Sequence, residues 1–114
     1  MLAINIKDLT AVAVGMLWLG MVNASEITVD QHNKTFEKDG SQIEKISIKV
    51  GDTIHFRNLD PWFHNVFSLS DLKTFDLGSY PKGQQKPVVF DKAGVVEVEC
   101  AIHPQMYLEV EVKK

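Results

Sequence analysis

Cys100, His103 and Met106 follow one another every third residue in the run Cys100-Ala-Ile-His103-Pro-Gln-Met106, and Cys100 is the only cysteine in the chain. A thiolate, an imidazole and a thioether on so short a segment are three of the four donors of a type 1 copper centre. Such a centre sets two histidines and one cysteine around the metal with a weak axial methionine, because soft sulfur favours Cu(I) while imidazole suits both oxidation states. The fourth donor must come from elsewhere in the chain. His64, in Pro61-Trp62-Phe63-His64-Asn65-Val66-Phe67-Ser68, stands at the head of an apolar stretch that reads as a strand. The expected ligand set is therefore His64, Cys100, His103 and Met106, holding one copper that cycles between Cu(I) and Cu(II).

Taken singly, each of these residues has an ordinary structural role. A lone cysteine is more often a small buried hydrophobe than a ligand, and a lone methionine fills gaps in a core. Packing alone gives no reason to space three metal-ligating types evenly just beyond a strand. The two remaining histidines do not extend the set. His32 lies in the polar run Asp30-Gln31-His32-Asn33-Lys34, and His55 alternates with Ile54 and Phe56, which places it on the solvent side of a strand.

The first 24 residues read as a secretory leader. Lys7 precedes an apolar run from Leu9 to Val22, and Val22-Asn23-Ala24 puts small residues three and one places before Ser25. The apolar run is shorter than the roughly 20 residues that span a bilayer comfortably. The expected division is a leader over 1–24 and one domain over 25–114, exported to the periplasm. Retention of the leader as an anchor stays open, since Asp8 weakens the positive n-region. A single unpaired cysteine in an oxidising compartment forms no internal disulfide, and coordination would protect its thiol.

The elements that must carry the site are strands. Ile46, Ile48 and Val50 alternate with polar residues, Gly51-Asp52 turns the chain, and Ile54 and Phe56 continue a buried face; the two runs read as a hairpin. His64 to Leu69 and Pro87 to Phe90 read as further strands. Ala93-Gly94 leads into Val95 to Cys100, with Val96, Val98 and Cys100 inward and Glu97 and Glu99 outward. The last strand repeats this with Leu108, Val110 and Val112 inside. Ser70 to Leu77 is the one segment that reads as a helical turn, with Ser70 as its cap. The reading is all-β: a Greek-key β-sandwich of about seven to eight strands. Cys100 ends the inward face of its strand, so the metal pocket belongs at one pole of the sandwich, on a loop that Pro104 stiffens.

The chain resembles the cupredoxins of the plastocyanin and azurin superfamily. Its Cys-x2-His-x2-Met spacing is similar to the short ligand loop of amicyanins, and Cys-x-Ile-His-Pro-x-Met resembles small exported methylamine-utilisation-like cupredoxins. The resemblance implies that Asn65 ties the two ligand loops together and that its surroundings donate hydrogen bonds toward the cysteine sulfur. Gln105 departs from the pattern, standing where amicyanin-type loops commonly carry an aromatic.

The expected function is a blue copper protein carrying single electrons between exported or membrane-bound redox proteins, not an enzyme. The alternative is a periplasmic copper-binding or delivery protein. A formal charge of −3 argues against nucleic acid and anionic membrane surfaces as partners. A dehydrogenase, cytochrome or oxidase is the expected class of partner, met by a monomer through an apolar patch at Trp62 and Phe63.

Overall fold

The computed structural model describes residues 23–114, so the expected leader lies outside the described residues except for Asn23 and Ala24. Ten strands follow in chain order: β1 (Glu26–His32), β2 (Thr35–Lys38), β3 (Ser41–Gln42), β4 (Lys45–Lys49), β5 (Thr53–Asn58), β6 (Val66–Ser68), β7 (Phe75–Asp76), β8 (Gln85–Val89), β9 (Gly94–Cys100) and β10 (Tyr107–Lys113). The count exceeds the expected seven to eight because β3 and β7 are two-residue strands. Among the described residues no helix is long and apolar enough to cross a membrane.

The strands form two five-stranded sheets, ordered β3-β2-β1-β5-β8 and β4-β10-β9-β6-β7. Each mixes parallel and antiparallel pairs, with β1 parallel to β5 in the first and β10 parallel to β4 in the second. Alternation decides what each strand buries. Val96, Val98 and Cys100 of β9 meet Leu108, Val110 and Val112 of β10, while Ile54, Phe56, Val29 and Phe36 close the core from the opposite sheet. Phe36 and Phe56 pack edge to face, 6.2 Å between ring centroids, an arrangement favoured by the ring quadrupoles.

Two expectations need correction. Strands β4 and β5 do not form a hairpin. Gly51, at φ 96°, swings the chain from one sheet to the other, so that Ile46 and Ile48 face Ile54 and Phe56 across the core from different sheets. A period of two identifies a buried face, and either sheet of a sandwich provides one. The segment from Ser70 to Leu77 is not helical either. Lys73 N–H closes one turn on the Ser70 carbonyl at 3.1 Å, and the Ser70 hydroxyl accepts the N–H of Glu97 rather than capping a helix. Phe75 and Asp76 then pair with Ser68 and Phe67.

Candidate metal centre

Strand pairing delivers the donors to one pole. Cys100, the last inward residue of β9, lies opposite Val66 of β6, and His64 stands two residues before Val66 on the incoming loop. The Ala101 N–H donates to the Asn65 carbonyl at 3.0 Å, joining the two ligand loops through their backbones. On the other side of Cys100, the Met106 N–H donates to the His103 carbonyl at 2.9 Å. That bond folds residues 103–106 into a tight turn and brings the His103 ring back over the end of the strand.

Three side chains converge as a result. His64 Nδ1 lies 3.0 Å from His103 Nδ1, and Cys100 Sγ lies 3.8 Å from His64 Nδ1 and 3.7 Å from His103 Nδ1. The donor atoms all fall within 4.8 Å of one another, close enough to hold one metal ion. His64 and Cys100 are buried and His103 is half-buried. Met106 is fully buried at the foot of the same loop. His32 and His55 stay outside the cluster, paired with Glu37 at 3.1 Å and Glu26 at 2.8 Å.

Asp60 is the component that sequence reasoning missed. Its carboxylate lies 2.6 Å from His64 Nε2 and accepts the N–H groups of Asn33 and Lys34 at 2.8 and 3.2 Å. Asn33 and Lys34 both have positive φ, 52° and 60°, as a two-residue hairpin turn between β1 and β2 requires. One buried carboxylate thus grips the turn of the first sheet and the imidazole of the ligand loop. The only sequence signal was an aspartate four residues before the histidine, within a loop where periodicity has no meaning.

Electrostatics agrees with this geometry. Burial pushes the Asp60 carboxyl up, yet the bond to His64 and the two backbone N–H groups outweigh it and leave the pKa below the ordinary value. Asp60 is therefore ionised and can only accept, so His64 donates through Nε2. In its neutral form His64 then turns the Nδ1 lone pair toward Cys100 and His103, the tautomer that metal ligation needs. Burial also raises the Cys100 thiol. The neighbouring His64 and the N–H groups of Asn65, Ile102 and His103 more than reverse that, bringing it down to about 6. Burial alone would lower the His64 pKa, but Cys100 and Asp60 raise it. These two shifts belong together, since a thiolate at Cys100 and a protonated His64 stabilise each other, whereas the neutral His64 tautomer offers its Nδ1 lone pair instead.

Asn65 does join the two loops, through its backbone. Its N–H points at Cys100 Sγ from 3.4 Å, while its side-chain amide turns away to Asp76 at 2.7 Å. Around the pole Trp62, Phe63 and Ile102 are 41%, 59% and 54% exposed. Ile102 joins the two aromatics expected there.

No protein-family model matches the chain. The methylamine utilization protein MauL of Methylorubrum extorquens is 32% identical over 90 residues, 78% of this chain and 75% of that protein. Among solved structures, a Cu(I) form of an amicyanin mutant superposes with a TM-score of 0.65 at 25% identity, covering 83% of this chain and 88% of that one. An oxidised amicyanin mutant gives 0.67 at 26% identity, over 76% and 81% of the two chains. The Cu-containing nitrite reductase NirK of Thermus scotoductus SA-01 gives 0.69 at 21% identity, a likeness of fold alone; this chain spans 82% of its own length and 23% of the reductase. With its two mixed sheets and a His-Cys-His cluster at one pole, the chain is a cupredoxin-like protein of the amicyanin type and belongs to the family of MauL.

Proposed function

We propose that the chain is a periplasmic type 1 copper protein that carries one electron at a time between redox proteins. The observation that carries this reading is the meeting of two imidazole Nδ1 atoms and one cysteine sulfur within 4.8 Å. A soft thiolate with two neutral nitrogens is the donor chemistry that copper selects, and Met106 would add a weak thioether donor. When bound, copper supplies a Cu(II)/Cu(I) couple that exchanges a single electron. The ties described above do the rest. Bonds from Ala101 to Asn65 and from Met106 to His103 hold the loops, Asp60 fixes the His64 ring, and Pro104 stiffens the turn. Ligands held this firmly need little rearrangement when the charge on the site changes.

The protein so read is a carrier with no substrate of its own. Export and removal of residues 1–24 complete the proposal, leaving residues 25–114 as the working domain. The test is an optical titration of the purified protein with Cu(II). An intense visible thiolate-to-copper band should saturate at one copper per chain, and Cys100→Ser should abolish it. A full band in that variant, or no visible band in the native protein, overturns the reading.

A further inference from the structure

The pole opposite the metal centre carries a second ordered carboxylate. Asp52, in the turn from β4 to β5, is 5% exposed. One of its oxygens accepts the Lys49 N–H at 2.9 Å. The other accepts the backbone N–H of Ser25 at 2.8 Å, across 27 positions of sequence. The Ser25 carbonyl is held too, by the Thr53 N–H at 2.9 Å, so Ser25 is, among the described residues, the first tied at both ends to the sandwich. Asn23 and Ala24, just before it, are exposed. Val22 and Ala24 are the small residues at the third and first places before Ser25 in the leader pattern.

These two facts concern the same atom. Hydrolysis of the Ala24–Ser25 peptide bond by a signal peptidase consumes one water, leaves a carboxylate on Ala24, and converts the Ser25 amide nitrogen into a primary amine that is protonated at neutral pH. That nitrogen already lies 2.8 Å from Asp52. We propose that Asp52 is the receptor for the α-ammonium group of the processed chain, so that cutting after Ala24 replaces a neutral N–H···carboxylate bond by an ion pair and locks the new N-terminus onto the fold. The inference rests on the reading that residues 1–24 are a removed leader. It adds that the site of the cut is matched to a built acceptor.

The surroundings favour the exchange. Asp52 lies below the ordinary carboxylate pKa, held there by its bonds to the Ser25 and Lys49 N–H groups against the opposing effect of burial. It is therefore ionised at neutral pH and accepts only. Hydrogen bonds between ionised partners are shorter and about twice as strong as neutral ones. A cut one residue later would delete Ser25 and leave one Asp52 oxygen without its donor. A cut one residue earlier would keep the amide neutral.

The experiment uses the full chain exported to the periplasm and purified as processed there, and a second chain with one glycine inserted between Ala24 and Ser25. Each is made with and without Asp52→Asn. Intact mass reports the N-terminus, and urea unfolding reports the folding equilibrium. The native chain should begin at Ser25, and its folding constant should exceed that of the glycine-extended chain by about three- to tenfold, the range of a partly buried ion pair. With Asp52→Asn that advantage should vanish in the double-mutant comparison. A native N-terminus other than Ser25 overturns the leader reading and the proposal together. A Ser25 start with equal stabilities, or an advantage that survives Asp52→Asn, overturns the ammonium receptor and leaves the leader reading standing.

Discussion

Asp60 and His64, four residues apart on one loop, share a 2.6 Å hydrogen bond in which both side chains are almost fully buried. The carboxylate also holds the Asn33 and Lys34 N–H groups, so the orientation of the His64 ring in one loop depends on a hairpin turn in the first sheet. A ligand imidazole whose far nitrogen is fixed keeps its tautomer and its aim, and loss of such a partner typically lowers metal affinity about 10- to 100-fold.

Asp60→Asn should therefore weaken copper binding by about that factor. A neutral amide still accepts from Nε2 but loses the charge that enforces one tautomer. Asp60→Ala should in addition destabilise the fold by about 3 kcal/mol, because it removes the acceptor of two backbone N–H groups and of a buried imidazole. Chelator competition measures the first effect and urea unfolding the second. Unchanged affinity in Asp60→Asn would show that packing alone orients His64.

Gly94 makes a steric prediction at the start of β9. Its φ is +141°, and an added Cβ would lie 2.7 Å from Leu72 Cδ2. Gly94→Ala should cost about 1–3 kcal/mol through backbone strain and overpacking. The double variant with Leu72→Ala should recover the overpacking part and keep the strain. Full additivity in thermal or urea unfolding would show that the Leu72 contact has no part in the cost.

How far these relationships were readable follows from what periodicity encodes. The alternation in Val96, Val98 and Cys100 and in Leu108, Val110 and Val112 specified the inward faces, and the structure buries all six. It therefore also placed the sulfur at a strand end. The same alternation in Ile46, Ile48, Ile54 and Phe56 left the sheet of each strand undetermined, and β4 and β5 separated. Asp60, the Asn65 side chain and the Asp52 bond to Ser25 depend on loop geometry over separations of up to 27 residues, for which a residue pattern has no counterpart.

Tyr80 predicts an alkaline limit to stability. Its hydroxyl donates to the Phe56 carbonyl at 2.6 Å and accepts from Gln31 Nε2 at 3.0 Å. Burial, only partly opposed by the Gln31 bond, pushes its pKa up to about 12. The folded value lies above the ordinary value of roughly 10, so the unfolded chain ionises first. The contribution of Tyr80 is thus fully present below pH 10 and is lost as pH rises toward 12. Tyr80→Phe should cost about 2 kcal/mol at neutral pH, since it strips a partner from buried Gln31. The gap between native and variant proteins should then narrow above pH 10. A gap that stays constant in unfolding curves from pH 8 to about 12 would contradict a buried neutral phenol.

The last prediction concerns how an electron reaches the site. Of the three converging side chains, only His103 retains appreciable exposed surface; His64 and Cys100 are 1% and 3% exposed. Electrons should therefore cross at the pole where Trp62, Phe63 and Ile102 lie open to solvent, and an apolar rim of this kind suits brief contact with a redox partner. Lys34 Nζ sits 5.4 Å from the Trp62 ring centroid, which helps hold the indole in place. Trp62→Glu and Trp62→Lys separate contact from charge. If the indole acts by apolar contact, both should slow electron self-exchange about tenfold, equivalent to roughly 1.4 kcal/mol, with the visible spectrum of the copper-loaded protein nearly unchanged. If the two rates move in opposite directions, charge governs the encounter; if neither moves, Trp62 only packs against its loop and the docking surface must be sought elsewhere.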